Sequence, residues 1–108
     1  MNFKAEDLSE IVLESLRSIF SSRIADSEFS TSMKILGLQY KGVTGNVEVL
    51  DSLDLVEIVA NIESKIMQHK GIDVQIVTEE LLTKGMTVFD SVETITEYIL
   101  EMLQSNNE

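Results

Sequence analysis

The sequence predicts an all-α protein, a four-helix bundle with three main helices, one short helix and a long first loop. Three observations lead to this fold class. Apolar residues recur at helical spacing in three stretches, residues suited to cap a helix precede the later ones, and only one segment alternates like a β-strand. With 108 residues, 44% of them hydrophobic, residues 1–108 are expected to form a single domain with a small core.

The first predicted helix covers about residues 4–22. Its apolar stripe consists of Leu8, Ile11, Val12, Leu16, Ile19 and Phe20. Residues 23–49 contain three glycines and scattered apolar side chains, so we expect a long ordered loop, with room for a short helical turn at residues 30–36. The loop residues expected to pack against the bundle are Phe29, Ile35, Leu36, Leu38, Val43 and Val47.

The second predicted helix covers residues 52–69, with Asp51 as its N-cap. Asp51 would accept a hydrogen bond from the backbone N–H near Asp54, and the Ser52 hydroxyl would face outward. At about 100° per residue, one face is apolar and consists of Leu55, Ile58, Val59, Ile62 and Ile66. The outer face mixes apolar and acidic residues, namely Leu53, Asp54, Val56, Glu57, Ala60 and Glu63.

The region after the second helix contains a break and a short helix. Gly71 is suited to the C-cap of the second helix. Residues 72–77 alternate apolar and polar side chains, but no partner strand is evident, so we expect an extended linker. Thr78 then starts a predicted short third helix that ends before Gly85.

The last predicted helix begins after a capping box formed by Asp90 and Glu93 and ends near Gln104. Its inner stripe consists of Val92, Ile95, Ile99, Met102 and Leu103. We interpret Ser91, next to this box, as a structural residue.

Composition and charge narrow the classes of function. The formal net charge of -11 would repel nucleic acid and anionic membranes, and it points to basic protein partners. With no cysteine, one histidine and no run of residues spaced like a metal site, we expect neither a metal nor an enzyme active site. No signal peptide or apolar run of membrane-spanning length is present, so we expect a cytoplasmic protein without membrane insertion.

Residues 51–58 read DSLDLVEI. This octet resembles the signature around the prosthetic-group serine of acyl carrier proteins, Asp-Ser-Leu-Asp-x-Val-Glu-Leu, with Ile58 in place of the last leucine. The resemblance implies that 4′-phosphopantetheine from coenzyme A is attached to Ser52. It also implies a docking surface for partner enzymes, made of Asp51, Leu53, Asp54, Val56, Glu57, Ala60 and Glu63. The likeness departs at Val49, where family members usually have glycine, and in the longer segment between Ile66 and Val92.

On this resemblance we expect a non-catalytic carrier that bears acyl groups as thioesters in fatty-acid biosynthesis or a related polyketide-like or lipid pathway. Its partners would be a phosphopantetheinyl transferase and acyl-transferring or synthase enzymes with basic docking patches, and the carrier would be a monomer. Two alternatives stay open. One is an aminoacyl or peptidyl carrier, and the other is an unmodified acidic helical adaptor that binds a basic partner.

Overall fold

Helices supply most of the regular structure in the computed structural model, which describes residues 4–76 and 85–106. The elements in chain order are α1 (Ala5–Phe20), a 3₁₀ turn (Asp26–Glu28), β1 (Gln39–Lys41), β2 (Val47–Val49), α2 (Ser52–Lys70), a second 3₁₀ turn (Gly85–Phe89) and α3 (Val92–Asn106). None of the described helices is long and apolar enough to cross a membrane.

The helix α1 packs against both α2 and α3. The predicted apolar stripe of α1 faces the core. Leu8, Leu16 and Phe20 are fully buried, and Ile19 is partly buried. The predicted inner face of α2 is confirmed in full, since all five of its residues are buried. In α3 the predicted stripe is also buried, apart from the partly buried Met102.

The expectation of a loop throughout residues 23–49 is wrong, because this region contains a β-hairpin. Strands β1 and β2 pair antiparallel, with Tyr40 opposite Glu48. The turn between them uses Gly45 at φ +88°, a backbone conformation that side chains disfavour. The described chain is therefore mostly helical with a small two-stranded sheet, and not all-α.

The rest of this region joins the hairpin to the helices. Phe29 and Ile35 are buried as predicted, but Val43 and Val47 are 90% and 71% exposed and do not pack against the helices. Residues 30–36 form turns and a bridge between Lys34 and the start of α3, without the short helical turn considered above.

The described connection after α2 matches its prediction as far as it extends. Gly71 forms the C-cap of α2 in the left-handed conformation, with φ 66°, and its N–H bonds to the Met67 carbonyl. Residues 72–76 then have no regular secondary structure. The predicted short third helix, residues 78–84, lies outside the described residues.

The capping box at the start of α3 is shifted by one residue from its predicted position. Ser91 and Thr94 form it, because the Thr94 N–H donates to Ser91 Oγ at 3.2 Å and the Ser91 N–H donates to Thr94 Oγ1 at 2.9 Å. The prediction of Asp90 and Glu93 is therefore wrong. Asp90 instead uses its backbone carbonyl to accept a bond from the Ile35 N–H, which ties the preceding loop to this helix start.

Candidate functional site

The start of α2 is built by two aspartates. Asp51 is the N-cap in an extended conformation, and its Oδ1 accepts a hydrogen bond from the Asp54 N–H at 3.0 Å. Asp54 Oδ2 accepts in return from the Asp51 N–H, also at 3.0 Å. This reciprocal pair is a capping box that fixes where the helix begins. The prediction that Asp51 caps the helix is confirmed.

Ser52 is the first residue of α2, as predicted. The direction of its hydroxyl, predicted to face outward, lies outside the described part of the structure. Its position in the backbone follows directly from the capping box, because Asp51 and Asp54 hold the residues on either side of it.

Tyr40 of β1 anchors this helix start to the rest of the molecule. Its hydroxyl donates a hydrogen bond to Asp54 Oδ2 at 2.9 Å, so that one carboxylate oxygen accepts from both the hairpin and the cap. The Tyr40 ring packs against Phe20 at the end of α1, with 4.9 Å between centroids, and Arg23 lies over its ring at 6.0 Å. Local sequence spacing gives no signal for Tyr40, because its partner Asp54 lies fourteen residues away.

The surroundings of Tyr40 raise the pKa of its phenol from 10.0 to about 12. The hydrogen bond to Asp54 is the largest cause, because only the neutral phenol can donate it. Burial acts in the same direction, and so do the negative charges of Asp54, Glu48 and Asp51. The phenol therefore stays protonated at neutral pH, and the link between β1 and α2 is kept.

The outer face of α2 is exposed and both apolar and acidic. Leu53 and Val56 are 77% and 63% exposed, so two large aliphatic side chains of α2 face solvent outside its buried stripe. Ala60, Asp51 and Glu57 are exposed as well. The predicted exposure of Leu53, Val56, Glu57 and Ala60 on the outer face is confirmed, while the role of all five residues in docking stays a prediction.

Glu63 and Asp54, also assigned to docking, both have internal hydrogen-bond partners. Glu63 Oε2 accepts a hydrogen bond of 2.7 Å from the N–H of the buried Ile76, and Glu63 is itself partly buried. Asp54 is partly buried and bonded to Tyr40. Docking by these two carboxylates stays a prediction. Both also accept hydrogen bonds from within the protein, whereas Glu57 is exposed.

Val49, which replaces the family's usual glycine, lies in β2. A β-branched residue is well suited to an extended strand. The chain therefore approaches Ser52 through a strand that ends two residues before the N-cap. Because residue 49 is in an extended strand, it can be valine instead of glycine.

A cleft of about 450 Å³ lies between α1 and the end of α2. Its rim carries one ion pair, from Lys70 to Asp7 at 3.9 Å, and a contact of 3.5 Å between His69 Nε2 and Glu14 Oε2. His69 is half exposed, as expected of a residue in the last turn of a helix. Among the described residues, no group of three or more histidine or acidic side chains could hold a metal ion.

Comparisons with protein-family models, with curated proteins and with solved structures found no match to this chain.

Proposed function

We propose that this chain is an acyl carrier protein with the four-helix carrier fold, which bears 4′-phosphopantetheine on Ser52. The observation that carries the proposal is a serine at the first position of a helix whose N-terminus is fixed by the capping box of Asp51 and Asp54. The outer face of that helix presents Leu53 and Val56 beside acids. The resemblance of residues 51–58 to the carrier signature assigns the serine its chemistry.

The position of Ser52 at the start of α2 gives an attached phosphodiester one favourable interaction, with the N-terminus of the helix. The N-terminus of a helix favours negative charge by about 0.3–1 kcal/mol in an exposed setting. Asp51 is the N-cap, since its side chain accepts from the Asp54 N–H, and Ser52 at the next position is the proposed attachment point. When bound, the group supplies a flexible arm ending in a thiol, which the chain, having no cysteine, does not provide itself.

The chain in this proposal is not an enzyme. A serine hydroxyl is a weak nucleophile at neutral pH without a base, and the only histidine, His69, lies at the far end of α2. The separate transferase would supply the base and a magnesium ion. The carrier supplies the position of the hydroxyl and a surface that the transferase can recognise.

The acids of α2 suit recognition better than phosphate binding. Asp51 and Glu57 would repel the phosphodiester, so their presence is explained better by contact with basic partner enzymes. Charge-steered contact gives fast association and weak final affinity, which suits a carrier that visits several enzymes in turn. The net charge of -11 extends this steering beyond the helix itself.

Intact-mass measurement tests the proposal. The protein is incubated with coenzyme A, magnesium and a promiscuous phosphopantetheinyl transferase, and we expect a mass gain of one phosphopantetheine group. Ser52→Ala should abolish the gain. Ser64→Ala, which changes an exposed serine on the same helix, should leave it intact.

Two results would overturn the proposal. If the wild-type chain gains no mass, the unmodified adaptor becomes the better interpretation, because it needs only the exposed face of α2. If Ser52→Ala still gains the group, the anchor lies elsewhere. An aminoacyl or peptidyl carrier would pass this test, and the cargo found on the protein in its native host would then separate the two kinds of carrier.

A further inference from the structure

The outer edge of β2 is open within the described part of the chain. Two backbone hydrogen bonds lie on either side of the three paired positions of the hairpin. One runs from the Leu50 N–H to the Leu38 carbonyl, and the other from the Gly42 N–H to the Asn46 carbonyl. Since bonded pairs alternate along an antiparallel ladder, Tyr40 and Glu48 form the bonded pair between them.

The backbone groups of the two β2 valines must then point away from β1. The same alternation places the Lys41 N–H on the opposite edge, and it is found there, bonded to the Arg23 carbonyl at 3.1 Å. On the β2 side, β1 is the only strand that pairs with β2 among the described residues. Val47 and Val49 thus present N–H and C=O groups along an edge.

This edge is only partly protected, because β2 is short and carries a charge at Glu48, two features that limit pairing at natural sheet edges. The three residues of β2 are all exposed, with Val47 at 71% and Val49 at 55%. A lysine, a proline or a bulge would discourage pairing at an edge, and β2 has none of them. Its single charged residue is Glu48.

We propose that the β2 edge binds an extended basic segment of a partner protein, which adds to the sheet as a third strand. Strand addition at an open edge is a common mode of peptide recognition, in which main-chain bonds give affinity and alternate side chains give specificity. The proposal does not depend on modification of Ser52, because the edge exists in the unmodified chain.

The charges around the edge define the chemistry of the added strand. Glu48 lies on the same face of the hairpin as Tyr40, and the charges of Glu48, Asp51 and Asp54 all act on the Tyr40 phenol. The Arg23 guanidinium also lies over the Tyr40 ring, but the three acids outnumber it, so a residue opposite Glu48 would enter a negative field. The fitting segment has lysine or arginine at that position and apolar residues opposite the two valines.

A second copy of this chain is a poorer occupant of the edge. Pairing two β2 strands would bond Val47 of one copy with Val49 of the other, because these residues carry the outward backbone groups. Glu48 would then lie directly opposite Glu48. Like charges at opposed positions destabilise a strand pair, so the acidic edge disfavours self-association.

A proline substitution can block the edge without breaking the hairpin. In Val49→Pro the lost N–H points outward, so the ladder bonds of Tyr40 and Glu48 are kept, and proline is tolerated on an edge strand. In Glu48→Pro the lost N–H belongs to the ladder itself. This second variant is the matched control, because it reports what loss of the hairpin looks like in the amide spectrum.

The probe is a capped peptide of alternating valine and lysine, and its match has glutamate in place of lysine. In an NMR titration we expect the basic peptide to shift the Val47 and Val49 amide signals, with binding at least tenfold weaker to Val49→Pro. The acidic peptide should bind at least tenfold more weakly than the basic one. Glu48→Lys should reverse the preference between the two peptides.

The outcomes decide the proposal in either direction. Equal binding of the basic peptide to wild type and Val49→Pro would overturn it, as would no shift at the two valines. If Val49→Pro loses the hairpin signals, as Glu48→Pro does, the binding preference of Glu48→Lys between the two peptides decides. An unreversed preference in Glu48→Lys would then reject the edge as the binding site.

Discussion

Tyr40 joins three parts of the molecule through one side chain. Its ring packs on Phe20 of α1, its backbone belongs to β1, and its hydroxyl bonds to Asp54 of α2. A bond to a charged acceptor is stronger than one between neutral groups, and here it also holds the carboxylate that completes the cap. The position of Ser52 therefore depends on a residue twelve positions earlier in the chain.

Tyr40→Phe should destabilise the protein by about 1.5–3 kcal/mol at neutral pH, the usual range for a hydrogen bond to a charged group. The phenol's folded pKa is raised above its unfolded value of 10.0, to about 12. Its stabilisation is therefore fully present below pH 10 and is lost as the pH rises towards 12. Urea unfolding of both proteins across this pH window measures the difference.

Tyr98→Phe is the control for loss of a phenol hydroxyl, because Tyr98 is buried and donates to the Ile76 carbonyl instead of a carboxylate. The gap between wild type and Tyr40→Phe should close as the pH approaches 12. A gap that stayed constant from pH 9 upward would contradict the assigned role of the Tyr40 phenol.

At the start of α2, residue-level prediction from sequence succeeded because the partners are close in the chain. Asp51 and Asp54 lie three residues apart, and the bond from the Asp54 N–H to the Asp51 side chain was predicted from this spacing, while the return bond to Asp54 was not. Tyr40 and Glu63 meet partners more than ten residues away, and these contacts depend on how the elements pack. Local spacing contains no signal for such bonds.

At the level of elements, the start of α3 is set by packing as well as by capping propensity. Asp90 and Glu93 have the spacing of a capping box, but Ser91 and Thr94 have it too, one residue later. The structure uses the second pair. Thr94 Oγ1 also donates towards the Val88 carbonyl at 2.8 Å, and Ser91 bridges to Lys34, so neighbouring segments favour this register.

Ser91→Ala should therefore cost about 1 kcal/mol of stability, the typical value for loss of an N-cap side chain. Asp90→Ala is the matched control, because it removes the residue that sequence spacing alone favours. Its ion pair with Lys34 spans 3.7 Å between exposed groups and should contribute little. Thermal or urea unfolding of both variants compares them, and a larger loss for Asp90→Ala would contradict the observed cap.

The hairpin was the element that sequence reasoning missed. Its strands have three residues each, too few for alternation to stand out, and β2 has all three side chains exposed. An exposed strand lacks the apolar and polar alternation by which strands are recognised. The three main helices were found because each buries one continuous stripe over four or more turns.

For the whole molecule, residues 71–76 connect α2 to α3 by more than chain continuity. The N–H of Ile76 donates to Glu63 of α2, and its carbonyl accepts from the Tyr98 hydroxyl of α3 at 3.3 Å. Val74 and Ile76 are buried while Asp73 and Gln75 are exposed. This explains the strand-like alternation of a segment that has no strand partner among the described residues.

Glu63→Ala should destabilise the protein by about 1–3 kcal/mol, because it leaves the N–H of the buried Ile76 without its acceptor. Glu63→Gln should lose less, since the amide oxygen can still accept the bond. Hydrogen exchange at the Ile76 amide should become faster in Glu63→Ala and stay close to wild type in Glu63→Gln. Urea unfolding followed by amide exchange measures both effects.

Glu57→Ala is the control on the same helix, because Glu57 is exposed and carries the same charge. Its effect on stability should stay within about 0.5 kcal/mol. If the two alanine variants lose equal stability, the bond from Ile76 to Glu63 does not join α2 to α3. If Glu63→Ala is less stable than Glu57→Ala by the expected margin, Glu63 stabilises the protein through its bond with the Ile76 N–H.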